Sequence, residues 1–164
     1  LVLAYKKRPK DSRVVMTELV LPHHTNQLGT VFGGAVMSWM DICGAISAFK
    51  HVENQVVTAS IDDLHFLAPV RLGGVIEFVA QVCFAGHTSV DVFVQAWSQH
   101  PGQRDKQLTA QCFMTFAART PEGQAYPVPE LLIETEQDRI NFEMAKRRRE
   151  LRLQRKNEFP TVTL

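Results

Sequence analysis

Residues 33–51 read GGAVMSWMDICGAISAFKH, and this stretch decides the fold. It predicts a helix from Gly33 to about His51. The helix is apolar on nearly every face, through Val36, Met37, Trp39, Met40, Ile42, Cys43, Ala45, Ile46, Ala48 and Phe49. A helix that is apolar all round belongs in a core rather than on a surface. At 1.5 Å per residue it spans roughly 27 Å, enough to cross a small domain, and it is not read as a membrane segment.

The flanking sequence supplies strands to wrap it. Ser12–Leu21 is β-branched and apolar, and residues 1–12 before it read as a loose polar lead-in. Pro22 to Gly29 is a loop rich in breakers and hydrogen-bonding side chains. After the helix, Gln55–Leu67 alternates, with Val57, Ala59 and Ile61 opposite Thr58, Ser60 and Asp62. The apolar set then moves to Leu64 and Phe66, and this phase change predicts a β-bulge at Asp62-Asp63. Three more strands keep phase. Ile76, Phe78, Ala80, Val82 and Phe84 share one face. Val90, Val92, Val94 and Ala96 share the next. Leu108, Ala110, Cys112, Met114, Phe116 and Ala118 share the last. Short turns at Gly86-His87 and Pro101-Gly102 predict antiparallel neighbours. Phe93, Trp97 and Phe113 on the opposite faces predict cover by another subunit. A terminal helix is expected from Glu130 to about Asn157, with Ile133, Ile140, Met144 and Leu151 as its apolar stripe and Phe159-Pro160 as its stop. The fold class is α+β: one antiparallel sheet curled around one long helix, with a C-terminal basic amphipathic helix over 130–157. The core is placed at 12–128 within a single domain covering 1–164.

Length and composition agree. The chain has 164 residues, 45% hydrophobic and 21% charged, which is ordinary for one globular domain. No apolar run approaches the roughly 18 residues of a membrane span. Eighteen Lys and Arg against seventeen Asp and Glu give +1. That balance hides a split, because Asp138–Glu158 holds eight basic and four acidic residues, a net of +4, leaving −3 for the rest. The charged segment Tyr5–Lys10 is not the apolar core of a signal peptide, so a cytoplasmic protein is expected. Cys43, Cys83 and Cys112 are widely spaced among apolar neighbours and read as buried free thiols.

The usual catalytic patterns are absent. There is no G-x-S-x-G elbow, no phosphate loop and no dinucleotide fingerprint. The adjacent pair His23-His24 lacks the His-x-x-x-His spacing of zinc helices, and no metal site is read. Asp41 stands apart, a carboxylate among Trp39, Met40, Ile42 and Cys43. Burying it unpaired costs several kcal/mol or shifts its pKa, so it faces a wet groove, pairs structurally, or does chemistry. Gly33-Gly34 open the helix where N–H groups lack partners, and such amides suit a developing oxyanion. A tight turn alone would also explain the glycines, and an Asx turn would explain Asn26.

The pattern Pro22-x-x-Thr25-Asn26-x-x-Gly29-x-x-x-Gly33-Gly34, followed by Trp39-Met40-Asp41, resembles the signature of the hotdog-fold acyl-CoA thioesterases, most closely the brain acyl-CoA hydrolase type and its bacterial relatives. Val57–Phe66, Pro69-Val70-x-x-Gly73, Thr88-Ser89-Val90-x-Val92 and Ala145-x-Arg147-Arg148 extend the resemblance over roughly residues 12–152. It implies the hotdog fold, hydrolysis of acyl-CoA to free CoA and a carboxylic acid, and a site formed between two subunits of a dimer that assembles further as a trimer of dimers. It implies that Asn26 positions the thioester or water, that Asp41 is general base or nucleophile, and that the Gly34 N–H polarises the carbonyl. Thr58 is implied as a hydroxyl that holds water or Asp41. No metal or organic cofactor is implied, since CoA belongs to substrate and product. A thioester is activated enough for a positioned water and a carboxylate to suffice.

The CoA phosphates call for basic residues. Arg71, Arg119, Arg147 and Arg148 are candidates, as is the His87-Thr88-Ser89 turn, with Gly33 as a further substrate contact. An ordinary solvated charge is the competing reading for each arginine. Relatives of the family often carry a basic residue where His87 stands, and a histidine there makes a phosphate contact weaker or pH-dependent. Other functions fit the sequence less well. A non-catalytic acyl-CoA or lipid-binding module of the same fold is the main alternative. A hydratase would need an Asp and His pair not seen after Asp41. Nucleic-acid binding by the terminal helix is disfavoured by its four acids and its apolar stripe.

Overall fold

The computed structural model describes residues 6–158. The expected helix stop at Phe159-Pro160 and the first five residues of the lead-in lie outside the described residues. The elements are β1 (Lys6–Lys7), β2 (Val14–Leu19), α1 (Gly33–Val52), β3 (Gln55–Phe66), β4 (Val75–Ala85), β5 (Ser89–Gln99), β6 (Gln107–Arg119), β7 (Glu130–Leu131) and α2 (Glu136–Glu158), with 3-10 turns at Pro9–Ser12 and Pro22–His24. Five strands form an antiparallel sheet in the order β2-β4-β5-β6-β3, so β2 and β3 are its edges.

The concave face of this sheet holds α1. Ile76, Phe78, Ala80 and Val82 of β4, Val90 to Ala96 of β5 and Ala110 to Ala118 of β6 are buried at alternate positions against Val36, Met40, Cys43 and Ala48. Phe84 departs from the expected set. The β4–β5 register slips between Val82 and Phe84, and Phe84 joins Cys83, Phe93 and Phe113 on the convex face.

Cover for that convex face comes partly from the chain itself. Ala145 of α2 is buried against Cys83 and Phe113, the Phe142 ring lies 5.0 Å from Phe84, and the Arg148 guanidinium lies 4.5 Å over Phe113. The face of α2 that meets the sheet is therefore Phe142, Ala145, Arg148, Arg149 and Arg152. Ile140, Met144 and Leu151 of the expected stripe are 43%, 44% and 41% exposed. Helix α2 also starts later than expected. Thr135 and Asp138 cap it reciprocally, through Asp138 N–H to Thr135 Oγ1 at 3.1 Å and Thr135 N–H to Asp138 Oδ2 at 3.3 Å. Glu130 and Leu131 instead pair in parallel with Lys6 and Lys7. The lead-in is thus anchored. Lys7 Nζ donates to the Lys50 carbonyl at 2.7 Å and meets Glu53 at 2.6 Å, placing a cation at the negative C-terminal end of α1.

Helix α1 is not enclosed all round. Its Val36, Trp39, Met40, Cys43, Ser47, Ala48 and His51 face is buried, yet Met37, Ile42, Ile46 and Phe49 remain 39–56% exposed. Asp41 lies within this uncovered arc.

Edge strand β3 carries the predicted bulge: its register shifts between Asp62 and His65, and Asp63 takes φ 52°. A second shift between Thr58 and Ser60 was not expected. It corrects the phase of the strand. Val56, Ile61 and Leu64 pack on the core, while Val57 is 51% exposed. It also separates Thr58, which turns toward α1, from Ser60 and Asp62, which turn toward α2.

Candidate active site

The loop before α1 is held shut by its own backbone. Asn26 N–H donates to the Thr30 carbonyl at 2.9 Å, Phe32 N–H to the His24 carbonyl at 2.7 Å, and Val31 N–H to the Val70 carbonyl at 2.7 Å. The Asn26 side chain organises the turn. Its Oδ1 accepts the Leu28 N–H at 2.9 Å and the Thr30 N–H at 3.3 Å, and its Nδ2 donates to Thr30 Oγ1 at 3.0 Å. That commits one of two Nδ2 protons and leaves the second for an outside acceptor. Thr30, which sequence reading passed over, is therefore the residue that orients Asn26. His24 accepts the Leu21 N–H on Nδ1 at 3.1 Å and meets Trp39 edge-on at 4.8 Å, which is a structural role. No cluster of His, Cys, Asp or Glu with metal-site geometry occurs among the described residues.

Phe32 leads into α1 in extended conformation and supplies no side-chain cap. Ala35 and Val36 N–H groups bond back to the Phe32 carbonyl, whereas the Gly33 and Gly34 N–H groups have no partner among the described residues. Both glycines lie close under aromatic rings. A Cβ on Gly34 would fall 2.7 Å from the Phe32 ring, and one on Gly33 would fall 3.3 Å from the Phe66 ring. Two unpaired amides at the positive end of a 20-residue helix can stabilise an oxyanion.

Asp41 lies seven residues further along α1, roughly 10 Å along the axis from Gly34 at the standard helical rise. Its Oδ1 accepts a 2.6 Å hydrogen bond from Thr58 Oγ1. The carboxylate is half-buried beside the Cys112 thiol, which burial pushes up to about 12, with Asp41 and Asp62 adding to the rise. Cys43 is likewise pushed up to about 11 by burial, which leaves it a poor nucleophile.

The remaining sequence-predicted residues fall into separate places. Arg71 joins the Asn26 loop, bridged to Thr30, and its N–H donates to His100 Nε2 at 3.0 Å. His87, Thr88 and Ser89 form the opposite end of the sheet, next to Arg119, because Ala118 N–H donates to the Thr88 carbonyl at 2.9 Å. The length of β5, roughly 33 Å at 3.3 Å per residue, separates the two ends. Arg148 forms an ion pair with Asp63 on the convex face. Exposed Arg147 borders a 370 Å³ hollow there with Asp62, Met144, Leu151 and Arg155.

That face also holds a charged cluster invisible to motif reading. Asp91 is 3% exposed; burial raises its pKa, and Thr115, Arg149 and Arg152 oppose the rise. Thr115 Oγ1 donates to it at 2.6 Å, and Arg149 and Arg152 stand 3.7 and 4.0 Å away. Arg152 also reaches Asp62 at 2.9 Å and contacts Thr115. A carboxylate near the start of β5 was the only sequence signal, since its partners come from β6 and α2.

This sheet-around-helix fold, with an asparagine loop, a helix-opening glycine pair and a helix aspartate, has clear relatives. The thioesterase superfamily model matches residues 28–104. An uncharacterised acyl-CoA thioester hydrolase of Bacillus subtilis is 36% identical over 147 residues, covering 90% of this chain and 86% of that protein. The acetyl-coenzyme A thioesterase of mouse is 30% identical over 149 residues, but this chain spans only 27% of its length. The acyl-CoA hydrolase of Staphylococcus aureus, solved with butyryl coenzyme A, coenzyme A and coenzyme A disulfide, superposes with a TM-score of 0.88 at 34% identity over 94% of both chains. A hexameric acyl-CoA thioesterase superposes with a TM-score of 0.88 at 37% identity, covering 92% of this chain and 96% of that one. The chain belongs to the hotdog-fold acyl-CoA thioesterase family.

Proposed function

We propose that the protein hydrolyses acyl-CoA to free CoA and a carboxylic acid, in a site completed by a second copy of the chain. The observation that carries this is the Asp41 carboxylate, held by Thr58 on the uncovered arc of the helix whose first amides are unpaired. The Gly34 N–H receives the developing oxyanion, and Asn26 orients the thioester or water with its free Nδ2 proton. Asp41 takes a proton from water as its oxygen bonds to the carbonyl carbon, and the C–S bond then breaks to release the CoA thiolate. Direct attack by Asp41 reaches the same products through an acyl-enzyme. Trapping an acyl-Asp41 anhydride with hydroxylamine during turnover would identify direct attack, whereas the general-base route forms no such adduct.

Distances within one chain support sharing of the site: roughly 10 Å of helix separates Gly34 from Asp41, a long reach for both to serve one thioester carbon from the same subunit. A two-fold partner laid antiparallel on the exposed Met37, Ile42, Ile46 and Phe49 arc would bring the Asn26 and Gly34 end of one subunit to the Asp41 of the other. The same arrangement carries each Asn26 loop toward the partner's His87–Ser89 end. Solved variants of the S. aureus enzyme replace an Asn, an Asp and a Thr by Ala, spaced 15 and 17 residues apart, the spacing of Asn26, Asp41 and Thr58 here. That coincidence supports the assignment of all three. Assembly beyond the dimer, as a trimer of dimers, is the matching proposal for the whole protein, with Arg71, Arg119 and Arg147 available to the CoA phosphates. Release of free thiol from a panel of acyl-CoAs tests the activity. Hydrolysis of at least one chain length is expected, and no turnover despite CoA binding would favour a non-catalytic module.

A further inference from the structure

The His87–Ser89 turn is tied down on its carbonyl side. Gly86 N–H donates to the Ser89 carbonyl at 2.8 Å, Val128 N–H to the His87 carbonyl at 3.0 Å and Ala118 N–H to the Thr88 carbonyl at 2.9 Å. The His87 and Thr88 N–H groups have no partner among the described residues. The turn thus offers two successive free amides, a suitable arrangement for an anionic group.

One side chain from a remote part of the chain fixes its shape. Arg149 Nη2 of α2 donates to Ser89 Oγ at 2.9 Å. The guanidinium lies so close to Gly86 that a Cβ there would sit 3.0 Å from Nη2 and 3.3 Å from Cζ. Arg149 is itself held on three sides. Its guanidinium lies 5.4 Å over the Phe84 ring, its Nη1 is 3.7 Å from Asp91, and Asp91 is fixed by Thr115. Nη1 is buried with no hydrogen-bond partner and faces Asp91 as an ion pair, so the cation is held in one place beside the turn.

We propose that Arg149 is a positioning residue for CoA recognition. Through Ser89 and Gly86 it holds the His87–Ser89 turn in the form that receives the phosphate-bearing end of the substrate. The terminal helix thereby acts on affinity for the nucleotide half rather than on the chemical step. This rests on the acyl-CoA reading above, and it adds a residue outside the asparagine, glycine and aspartate machinery.

The test compares two substrates sharing one acyl group, acyl-CoA and its S-acyl-N-acetylcysteamine analogue, which lacks the phosphates. In Arg149→Ala the ratio of KM for acyl-CoA to KM for the analogue rises about tenfold, in line with losing a charge-assisted hydrogen bond. Arg149→Lys recovers part of that loss. Ser89→Ala, which leaves α2 untouched, shifts the ratio in the same direction and guards against a misfolded arginine variant. An unchanged ratio in Ser89→Ala and in a folded Arg149→Ala overturns the proposal. Titration of the native protein with free CoA isolates the premise. Absence of CoA binding would overturn the substrate reading and the proposal with it, whereas binding with an unchanged ratio would overturn the proposal alone.

Discussion

Thr58 Oγ1 donates to Asp41 Oδ1 at 2.6 Å, joining the edge strand β3 to the middle of α1. The bond exists because β3 slips register between Thr58 and Ser60, which sends Thr58 toward the helix and Ser60 toward the opposite face. A carboxylate with one oxygen fixed presents the other in a defined direction, which general-base work requires.

Replacing Thr58 by Ala should therefore lower kcat by about tenfold or more with a smaller change in KM, the scale of a lost hydrogen bond to a charged group. Thr58→Ser keeps the hydroxyl and should retain most activity. Steady-state kinetics of both variants checks this, and equal losses in the two would point to packing rather than the hydroxyl.

His51 gives the stability a defined pH dependence. It is fully buried on α1, with Nε2 2.8 Å from the Pro129 carbonyl, so the neutral ring carries its proton there. Burial lowers its pKa below the ordinary 6.5; Lys7 adds to the fall, and the Pro129 carbonyl, Asp11 and Glu53 oppose it. The folded state binds this proton more weakly than the unfolded chain. Its contribution to stability is thus present above about pH 6.5 and lost as pH falls through the folded value. Melting temperatures between pH 7 and 5 should fall more steeply for the native protein than for His51→Gln.

The three thiols should be silent in the native state. Burial pushes Cys43 up to about 11 and Cys112 up to about 12, and it raises Cys83 as well. A disulfide reagent at pH 8 should label them only after denaturation. Rapid labelling of any one in the folded protein would contradict the packing described for it.

Much of this architecture was legible because its signals are local. The apolar stretch from Gly33, the strict alternation in β5 and β6 and the phase change at Asp62-Asp63 each report directly on backbone geometry. The Asn26, Gly33-Gly34 and Asp41 positions were legible as a motif. The orientation of α2 was not, since its apolar stripe suggested one packing face, whereas the sheet is met by a different face that carries Arg148, Arg149 and Arg152. Arg148, Arg149 and Arg152 are drawn to the sheet by Asp63, Asp91 and Asp62, acids far away in sequence whose need for partners arises only once the strands pair. Likewise, α1 looked fully enclosed because apolar residues surround it. Periodicity does not distinguish cover by the same chain from cover by another copy.

A site shared between subunits is open to a subunit-mixing experiment. Asp41→Ala and Asn26→Ala proteins, each inactive alone, are exchanged and assayed for thiol release. Random pairing places one intact site in half of the dimers, so activity should return to roughly a quarter of the native value. No recovery, with exchange demonstrated by differently tagged subunits, would contradict the shared site.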